Sequence, residues 1–217
     1  MDAPAIDRGQ LRRALTFIRR VNRWLGYTRA TINHLDRLTA DWPAGRTLIV
    51  LDVATGSADV PEAIFAWAKT RGIAVRVVGL DLHAATLALA AEAAPAVPLV
   101  RGDALALPFA DKSIDIVTSS MFLHHLPTDL AAAALREMAR VAGHAVLVAD
   151  LLRSRRAYAW ITLFTLPTSA LVRHDARVSV KQAFTIEEIK KLCATAGLSV
   201  PNVYRHFGHR FVITAKM

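Results

Sequence analysis

The middle of the chain alternates short aliphatic runs with longer segments of helical spacing. The predicted strands are 47–53, 75–81, 97–101, 113–119 and 144–150, and the predicted helices are 60–70, 84–94 and 130–140. The aliphatic runs carry few charges, as strands covered on both faces must. Strands that alternate with helices of this length predict a parallel sheet with right-handed crossovers. We therefore expect an α/β fold with a doubly wound sheet.

Helical segments flank this alternating core on both sides. Before it, 11–25 and 28–38 have apolar residues at helical spacing, and Gly26 between them can end the first helix. After the fifth strand, 157–172 is uncharged, but it is shorter than the roughly 20 residues of a membrane-spanning helix. Thr185 and Glu188 have the spacing of a capping box. Because 200–206 and 210–215 predict a closing strand pair, the expected sheet is mostly parallel, Rossmann-like and seven-stranded.

Length and composition predict a single domain. The chain has 217 residues, of which 53% are hydrophobic, enough for one substantial core. We divide it into an N-terminal helical cap (1–40), a cofactor-binding core (46–150), a helical insert that serves as substrate lid (151–184), and a C-terminal helix with the strand pair (185–217). Cys193 is the single cysteine, and the first residues lack a secretory signal pattern, so we expect a reducing, cytoplasmic location.

The chain is strongly basic. It has 27 Lys and Arg against 18 Asp and Glu, a formal net charge of +9. This charge suits RNA or an anionic membrane surface, and a solvated arginine-rich face explains it without any partner. We favour the solvated face.

Small and acidic residues follow the first three predicted strands. The segment 51–59 has small residues at Ala54, Gly56 and Ala58, which permit a tight turn and a close ligand at the carboxyl edge of the sheet. Asp81 ends the second strand, where a carboxylate can accept both hydrogen bonds of a ribose diol or, alternatively, cap the next helix. Asp103 follows the third strand. The three positions together indicate a nucleotide-type cofactor.

Over about 48–150, this pattern resembles class I S-adenosylmethionine-dependent methyltransferases, especially the small-molecule members related to the ubiquinone and menaquinone type. The resemblance implies that the loop 52–59 lies beneath the methionine part of the cofactor, that Asp81 holds the ribose, and that Asp103 faces the adenine amine. The segment 113–127 is similar to the family's segment beside the sulfonium. Alanines stand at 54 and 58 where the family often has glycine. The cofactor-binding residues expected from the resemblance are Asp52, Ala54, Thr55, Gly56, Asp59, Asp81, Leu82, Gly102, Asp103, Ala104, Ser119 and Ser120.

Two other cofactors fit the sequence less well. A nicotinamide dinucleotide would also use a small-residue turn and an acidic residue after the second strand, but the full G-x-G-x-x-G pattern is absent and Asp103 would have no role. A zinc site at His124 and His125 is disfavoured because adjacent residues rarely bind one metal. We therefore expect S-adenosyl-L-methionine and no metal.

Histidines at the end of the fourth strand are the candidate catalytic bases. His125 matches the family's histidine better than His124, and packing or helix capping explains either residue equally simply. His174, beside Asp175, is a third candidate. For an apolar acceptor we expect contacts from Tyr27, Trp160, Phe164 and Arg173, although Tyr27 could be a core residue.

The expected function is methyl transfer to oxygen or carbon of a small apolar acceptor, such as a phenolic, polyketide or quinone-like metabolite of secondary metabolism. An RNA methyltransferase is the second hypothesis, weakened by the lack of an appended RNA-binding module. The third is a non-catalytic protein of the same fold that binds a membrane surface or a partner. A monomer or homodimer, with or without peripheral membrane contact, is compatible with the sequence.

Overall fold

The computed structural model describes residues 7–166, 170–198, 201–207 and 209–217. Within them, a central sheet is covered by helices on both faces. The strands are β1 (Leu48–Val53), β2 (Val75–Asp81), β3 (Leu99–Arg101), β4 (Ile114–Ser120), β5 (Ala142–Leu151), β6 (Asn202–His206) and β7 (Arg210–Lys216). The helices are α1 (Arg8–Trp24), α2 (Tyr27–Leu38), α3 (Asp59–Arg71), α4 (Ala84–Ala93), α5 (Thr128–Val141), α6 (Arg155–Phe164), α7 (Ala170–Gln182) and α8 (Ile186–Thr195). A short 3-10 helix spans Leu123–His125.

The seven strands form one sheet in the order β3-β2-β1-β4-β5-β7-β6. The first five strands are parallel, and β7 is antiparallel to both β5 and β6. The expected doubly wound, mostly parallel sheet is thus confirmed. Its strand order reverses direction at β1 and β4, which is where open α/β sheets bind ligands beyond the carboxyl ends of their strands.

The central strands are the most deeply buried. In β4 every residue from Ile114 to Ser119 is buried, and in β1 only Ile49 is partly exposed. Helices on the two faces exclude water from both sides, which explains why these strands are rich in aliphatic residues. A rigid sheet therefore fixes the positions of the residues that follow each strand.

Local signals for helix ends fall close to their predicted places. Gly26 has a φ of 74° between α1 and α2, and Thr185 and Glu188 form the expected capping box of α8. Helix α1 begins earlier than predicted because the Asp7 carboxylate accepts a hydrogen bond from the Gln10 amide. Strand β3 begins only at Leu99, later than predicted, after Pro98, which has no amide hydrogen to donate.

Two further expectations concern the single cysteine and the uncharged segment after the fifth strand. Cys193 is buried on α8, and burial raises the pKa of its thiol to about 11, which makes it an unreactive apolar residue. Among the helices of the described ranges, none combines the length and the apolar character that crossing a bilayer requires.

Candidate active site

The turn after β1 is built from three residues in the left-handed region. Ala54, Gly56 and Ala58 have φ values of 57°, 54° and 56°. The turn folds back onto β2, where the Thr55 amide donates to the Leu80 carbonyl at 2.9 Å. Gly79 on β2 leaves the space for it, because a Cβ at that position would lie 2.9 Å from the Thr55 side chain. The small residues predicted for this turn are therefore required by its backbone.

Asp52 lies beneath this turn and is buried. Its two carboxylate oxygens accept hydrogen bonds from the Thr55 and Thr118 hydroxyls at 2.7 and 2.8 Å. Burial raises the pKa of Asp52 to about 7, because the two threonine bonds offset only part of the desolvation and the nearby Asp59 and Asp81 add repulsion. Asp52 is thus a carboxylate that a nearby cation would ionise.

Asp81 connects the turn to the end of β2. One carboxylate oxygen accepts from the Gly56 amide at 3.1 Å and the other from the His83 amide at 3.0 Å. The alternative that Asp81 caps α4 is wrong, because His83 is the N-cap residue of that helix. Leu82, next in the chain, is half exposed at the rim of the crevice.

Asp103 stands at the open end of the same edge. It is exposed, and its carboxylate accepts from the Leu105 amide at 2.9 Å. Gly102 is confined by β2, since a Cβ there would lie 2.8 Å from a Leu80 methyl, and Ala104 is buried. Because β1, β2 and β3 are adjacent parallel strands, the carboxylates at 52, 81 and 103 border one crevice.

Helices α1 and α2, the segment expected to form an N-terminal cap, contact the other end of the turn through side chains that the sequence analysis did not name. The Asp59 carboxylate accepts from the Asn22 amide at 3.2 Å and from the Thr28 hydroxyl at 3.5 Å. Arg19 donates to the Ser57 carbonyl at 3.2 Å and pairs with Glu62. Asp59 was predicted as a site residue, whereas Arg19, Asn22 and Thr28 were missed because their partners lie more than 30 positions away and no local pattern marks them.

Three buried polar atoms near this edge have no partner within the described residues. They are Asn22 Oδ1, Ser120 Oγ and Arg210 Nη1. The zwitterionic end of an amino acid carries an ammonium that donates and a carboxylate that accepts, and these groups match an amide oxygen and a guanidinium. The donor set therefore fits the methionine end of S-adenosylmethionine. Ser119, beside Ser120, is instead occupied, because its hydroxyl donates to the Val53 carbonyl at 2.9 Å.

His124 and Asp150 form a buried pair at the ends of β4 and β5. The two side chains meet at 2.5 Å between His124 Nδ1 and Asp150 Oδ1, and the His124 backbone amide donates to the same carboxylate at 3.1 Å. Both residues are at most 2% exposed. This arrangement assigns the Nδ1 proton to the bond with Asp150 and leaves Nε2 as the ring nitrogen that can accept a proton. Asp150 was not recognised as a site residue because it is 26 positions from its partner.

His125, the preferred candidate, is exposed, and its ring lies 4.0 Å from the His124 ring. Both histidines border a cleft of about 320 Å³. Arg153, Gln182 and Phe184 also line this cleft. The structure thus brings His124 and His125 together at one opening, and Asp150 holds the His124 ring.

Tyr27 is buried at the junction of α1, α2 and the sheet. The Arg210 guanidinium lies 3.9 Å from its ring centroid, and burial raises the pKa of the phenol. Tyr27 packs with Met121 and Leu151 at the carboxyl ends of β4 and β5. The structure therefore confirms Tyr27 as a core residue, and its contact with an acceptor stays a prediction.

The insert contributes fewer contacts to this edge. Trp160 and Phe164 stack at 4.9 Å on α6, and Arg173 donates to the Leu166 carbonyl at 3.2 Å. His174 is exposed on α7, and the side chain of its neighbour Asp175 lies outside the described part of the chain. Helix α7 does contact the 3-10 helix that carries His124 and His125. In the described residues no three His, Cys, Asp or Glu side chains are grouped to hold a metal ion.

Residues 51–146 match the family model described as "Methyltransferase domain". A demethylmenaquinone methyltransferase of Roseiflexus castenholzii is 37% identical over 133 residues, which are 60% of this chain and 51% of that protein. A 2-phytyl-1,4-naphthoquinone methyltransferase of Thermosynechococcus vestitus is 36% identical over 111 residues, 48% of this chain and 46% of that protein. The chain spans 29% to 51% of the length of the curated relatives it matches.

Among solved structures, the magnesium protoporphyrin IX methyltransferase of Synechocystis with bound S-adenosylhomocysteine superposes with a TM-score of 0.62. The sequence identity is 17%, over 88% of this chain and 83% of that one. This likeness establishes a shared fold.

Proposed function

Because residues 51–146 match the methyltransferase-domain family model, we propose that the protein transfers the methyl group of S-adenosylmethionine to oxygen or carbon of a small, apolar, quinone-like acceptor. The observation that carries the proposal is the crevice in which Asp52, Asp81 and Asp103 follow three adjacent strands beside the turn at 54–58. The curated relatives named above are quinone methyltransferases, and this supports the acceptor class.

The chain's own residues supply the binding of the cofactor. Asp81 would accept from the ribose hydroxyls, and Asp103, at the open end, would face the adenine. Asn22 and Arg210 would bind the amino acid end through the two atoms that lack partners. When bound, the cofactor supplies an electrophilic methyl carbon, so alignment and exclusion of water are the main tasks of the protein.

His124 is the base we favour for the acceptor proton. Asp150 orients the imidazole through Nδ1, so Nε2 can take a proton from a phenol or an acidic carbon as the acceptor attacks the methyl carbon. His125 and His174, both exposed, are proposed to line the approach of the acceptor, together with Trp160, Phe164 and Arg173. The uncharged sequence of α6 after its first turn suits an apolar molecule.

Calorimetry with S-adenosylmethionine, S-adenosylhomocysteine and NADH tests the cofactor. We expect the first two ligands to bind and NADH not to bind. Asp81→Ala should weaken binding by about 10- to 100-fold, the loss of one to two charge-assisted hydrogen bonds. Asp41→Ala, a change at an exposed carboxylate outside the crevice, is the matched control. Binding of NADH alone would exclude the proposal.

A labelled methyl donor offered with demethylmenaquinol and hydroquinones of increasing tail length tests the acceptor. We expect His124→Gln to lower kcat by about 100- to 10,000-fold, with little change in cofactor affinity. Asp150→Asn should have the same direction of effect. If His125→Ala abolishes turnover while His124→Gln does not, the base is His125.

A further inference from the structure

Large apolar side chains project into solvent beside the crevice. Trp24 and Phe207 are 87% and 82% exposed, and Leu163, Leu166 and Phe164 are also exposed. Single exposed apolar residues are common, but a group of five on neighbouring elements marks an interaction surface. We call Trp24, Leu163, Phe164, Leu166 and Phe207 the apolar face.

Arg210 links the backbone beside Trp24 to the backbone at Phe207. Its guanidinium donates through Nε to the Phe207 carbonyl at 2.8 Å and through Nη2 to the carbonyl of Leu25, which follows Trp24. Because both nitrogens belong to one planar group, the two carbonyls lie close to each other. Arg210 pairs with Leu151 across the sheet, so this junction stands at the carboxyl edge, next to the crevice.

Helix α6 joins the same junction. Tyr158 and Ile161 of α6, like Leu25 after α1, pack against one buried cluster, which consists of Tyr27, Leu151, Ala157, Val180 and Ala183. Leu163, on the side of α6 away from Tyr158 and Ile161, Phe164 at the end of the helix and Leu166 in the turn after it are exposed.

Arginines accompany the apolar face. Arg20 and Arg23 precede Trp24 on α1, Arg29 is on α2, and Arg155 and Arg156 begin α6. All five are exposed, and none forms an ion pair in the described ranges, whereas Arg19 and Arg153 do. The combination of exposed aromatic and leucine side chains with unpaired arginines is that of a protein surface that lies in the headgroup region of a membrane.

We propose that the apolar face docks on an anionic lipid bilayer, with Trp24, Phe207 and the end of α6 in the headgroup region and the arginines on anionic headgroups. A second copy of this chain fits less well, because a symmetric contact would bring the two sets of arginines against each other. Single-stranded RNA fits less well, because the leucines cannot stack on bases. With the apolar face on the membrane, the opening of the crevice would face the lipid.

Vesicle co-sedimentation of the full chain tests this proposal. We expect binding to vesicles that contain phosphatidylglycerol and much weaker binding to phosphatidylcholine alone, with loss at high salt. Trp24→Ser with Phe207→Ser should weaken binding about tenfold or more, since two aromatic side chains no longer enter the interface. Arg20→Glu with Arg23→Glu should weaken it by a similar factor.

The controls lie at the opposite edge of the sheet. Met217 is an exposed apolar residue at the end of β7, and Arg76 is an exposed arginine near the start of β2. Met217→Ser and Arg76→Glu should leave vesicle binding unchanged. Equal losses in these variants, or no binding of the unaltered protein, would overturn the proposal.

Two other results would also overturn it. One is a dimer that Trp24→Ser dissociates in light scattering without any vesicle binding, and the other is RNA binding that the same variants abolish without vesicle binding. Calorimetry with S-adenosylmethionine in the absence of vesicles keeps the proposals separate, because the apolar face contains none of the residues assigned to the cofactor.

Discussion

Ala54 and Ala58 hold backbone conformations that suit glycine. For L-residues, this region costs about 1 to 2 kcal/mol, and both alanines have φ near 57°. The Ala54 side chain is partly exposed, whereas Ala58 is buried with Ala90 and Ala94. The two positions therefore differ in what a methyl group contributes.

We predict that Ala54→Gly raises the free energy of unfolding by about 0.5 to 1 kcal/mol. Ala58→Gly should be close to neutral, because the loss of a buried methyl costs about 0.8 kcal/mol and cancels the relief of strain. Urea unfolding of the two variants beside the unaltered protein measures both values. A destabilised Ala54→Gly would show that the alanine methyl is itself required for the turn.

Asp52 predicts a pH dependence of cofactor binding. Burial raises its pKa to about 7 in the free protein, so part of the population is protonated at neutral pH. A cationic ligand favours the ionised form, so affinity for S-adenosylmethionine should rise between pH 6 and 8 as the proton is lost, with net proton release on binding. Calorimetry in buffers of different ionisation enthalpy measures that release. Asp52→Asn should remove the dependence, and if it does not, another group titrates.

At the scale of elements, α2 and β6 are joined by a pair of histidines. His34 and His206 meet at 2.9 Å between their Nε2 atoms, and burial lowers the pKa of His34 to about 4 and lowers that of His206. Both rings are therefore held neutral in the folded protein. The positively charged Arg37 acts in the same direction on both.

We predict that the histidine pair lowers the free energy of unfolding as the pH drops below 6.5. The unfolded chain takes up protons there and the folded chain does not, so stability is complete above 6.5 and is lost toward pH 4. Asp52, whose pKa is raised by burial, acts in the opposite direction over this pH range, so the contribution of the histidine pair is the difference in slope between the unaltered protein and a variant of the pair. His206→Asn should flatten the pH dependence of urea unfolding. An equal slope in that variant would assign the effect to other groups.

The sequence predicted the helices and strands more completely than it predicted the side-chain contacts between them. Strand β2 has its predicted bounds, because Val75–Asp81 is an aliphatic run closed by an acidic residue. By contrast, Asp150 and Asn22 were missed as site residues. Their partners, His124 and Asp59, are brought near only by the crossovers of the sheet, and hydrophobic periodicity carries no information about such contacts.

At the scale of the whole molecule, stability should be unevenly distributed. Strands β1, β4 and β5 are paired on both sides and buried, whereas α6 and α7 pack mainly on each other. We predict that hydrogen exchange is slowest in the three strands and at least about 100-fold faster in the insert. S-adenosylmethionine should slow exchange in α1 and in the turn at 54–58. Uniform protection across the insert and the sheet would contradict this prediction.

Helix α1 has a consequence for how a bound nucleoside leaves. The helix roofs the end of the crevice at Asp59, whereas the end at Asp103 is open to solvent. A ligand would therefore enter through the open end with its amino acid part leading, and it would leave with its adenine part leading. The ion pair between Arg19 and Glu62 holds α1 in place over the crevice. Because salt weakens exposed ion pairs, S-adenosylhomocysteine should exchange for S-adenosylmethionine faster as the ionic strength rises.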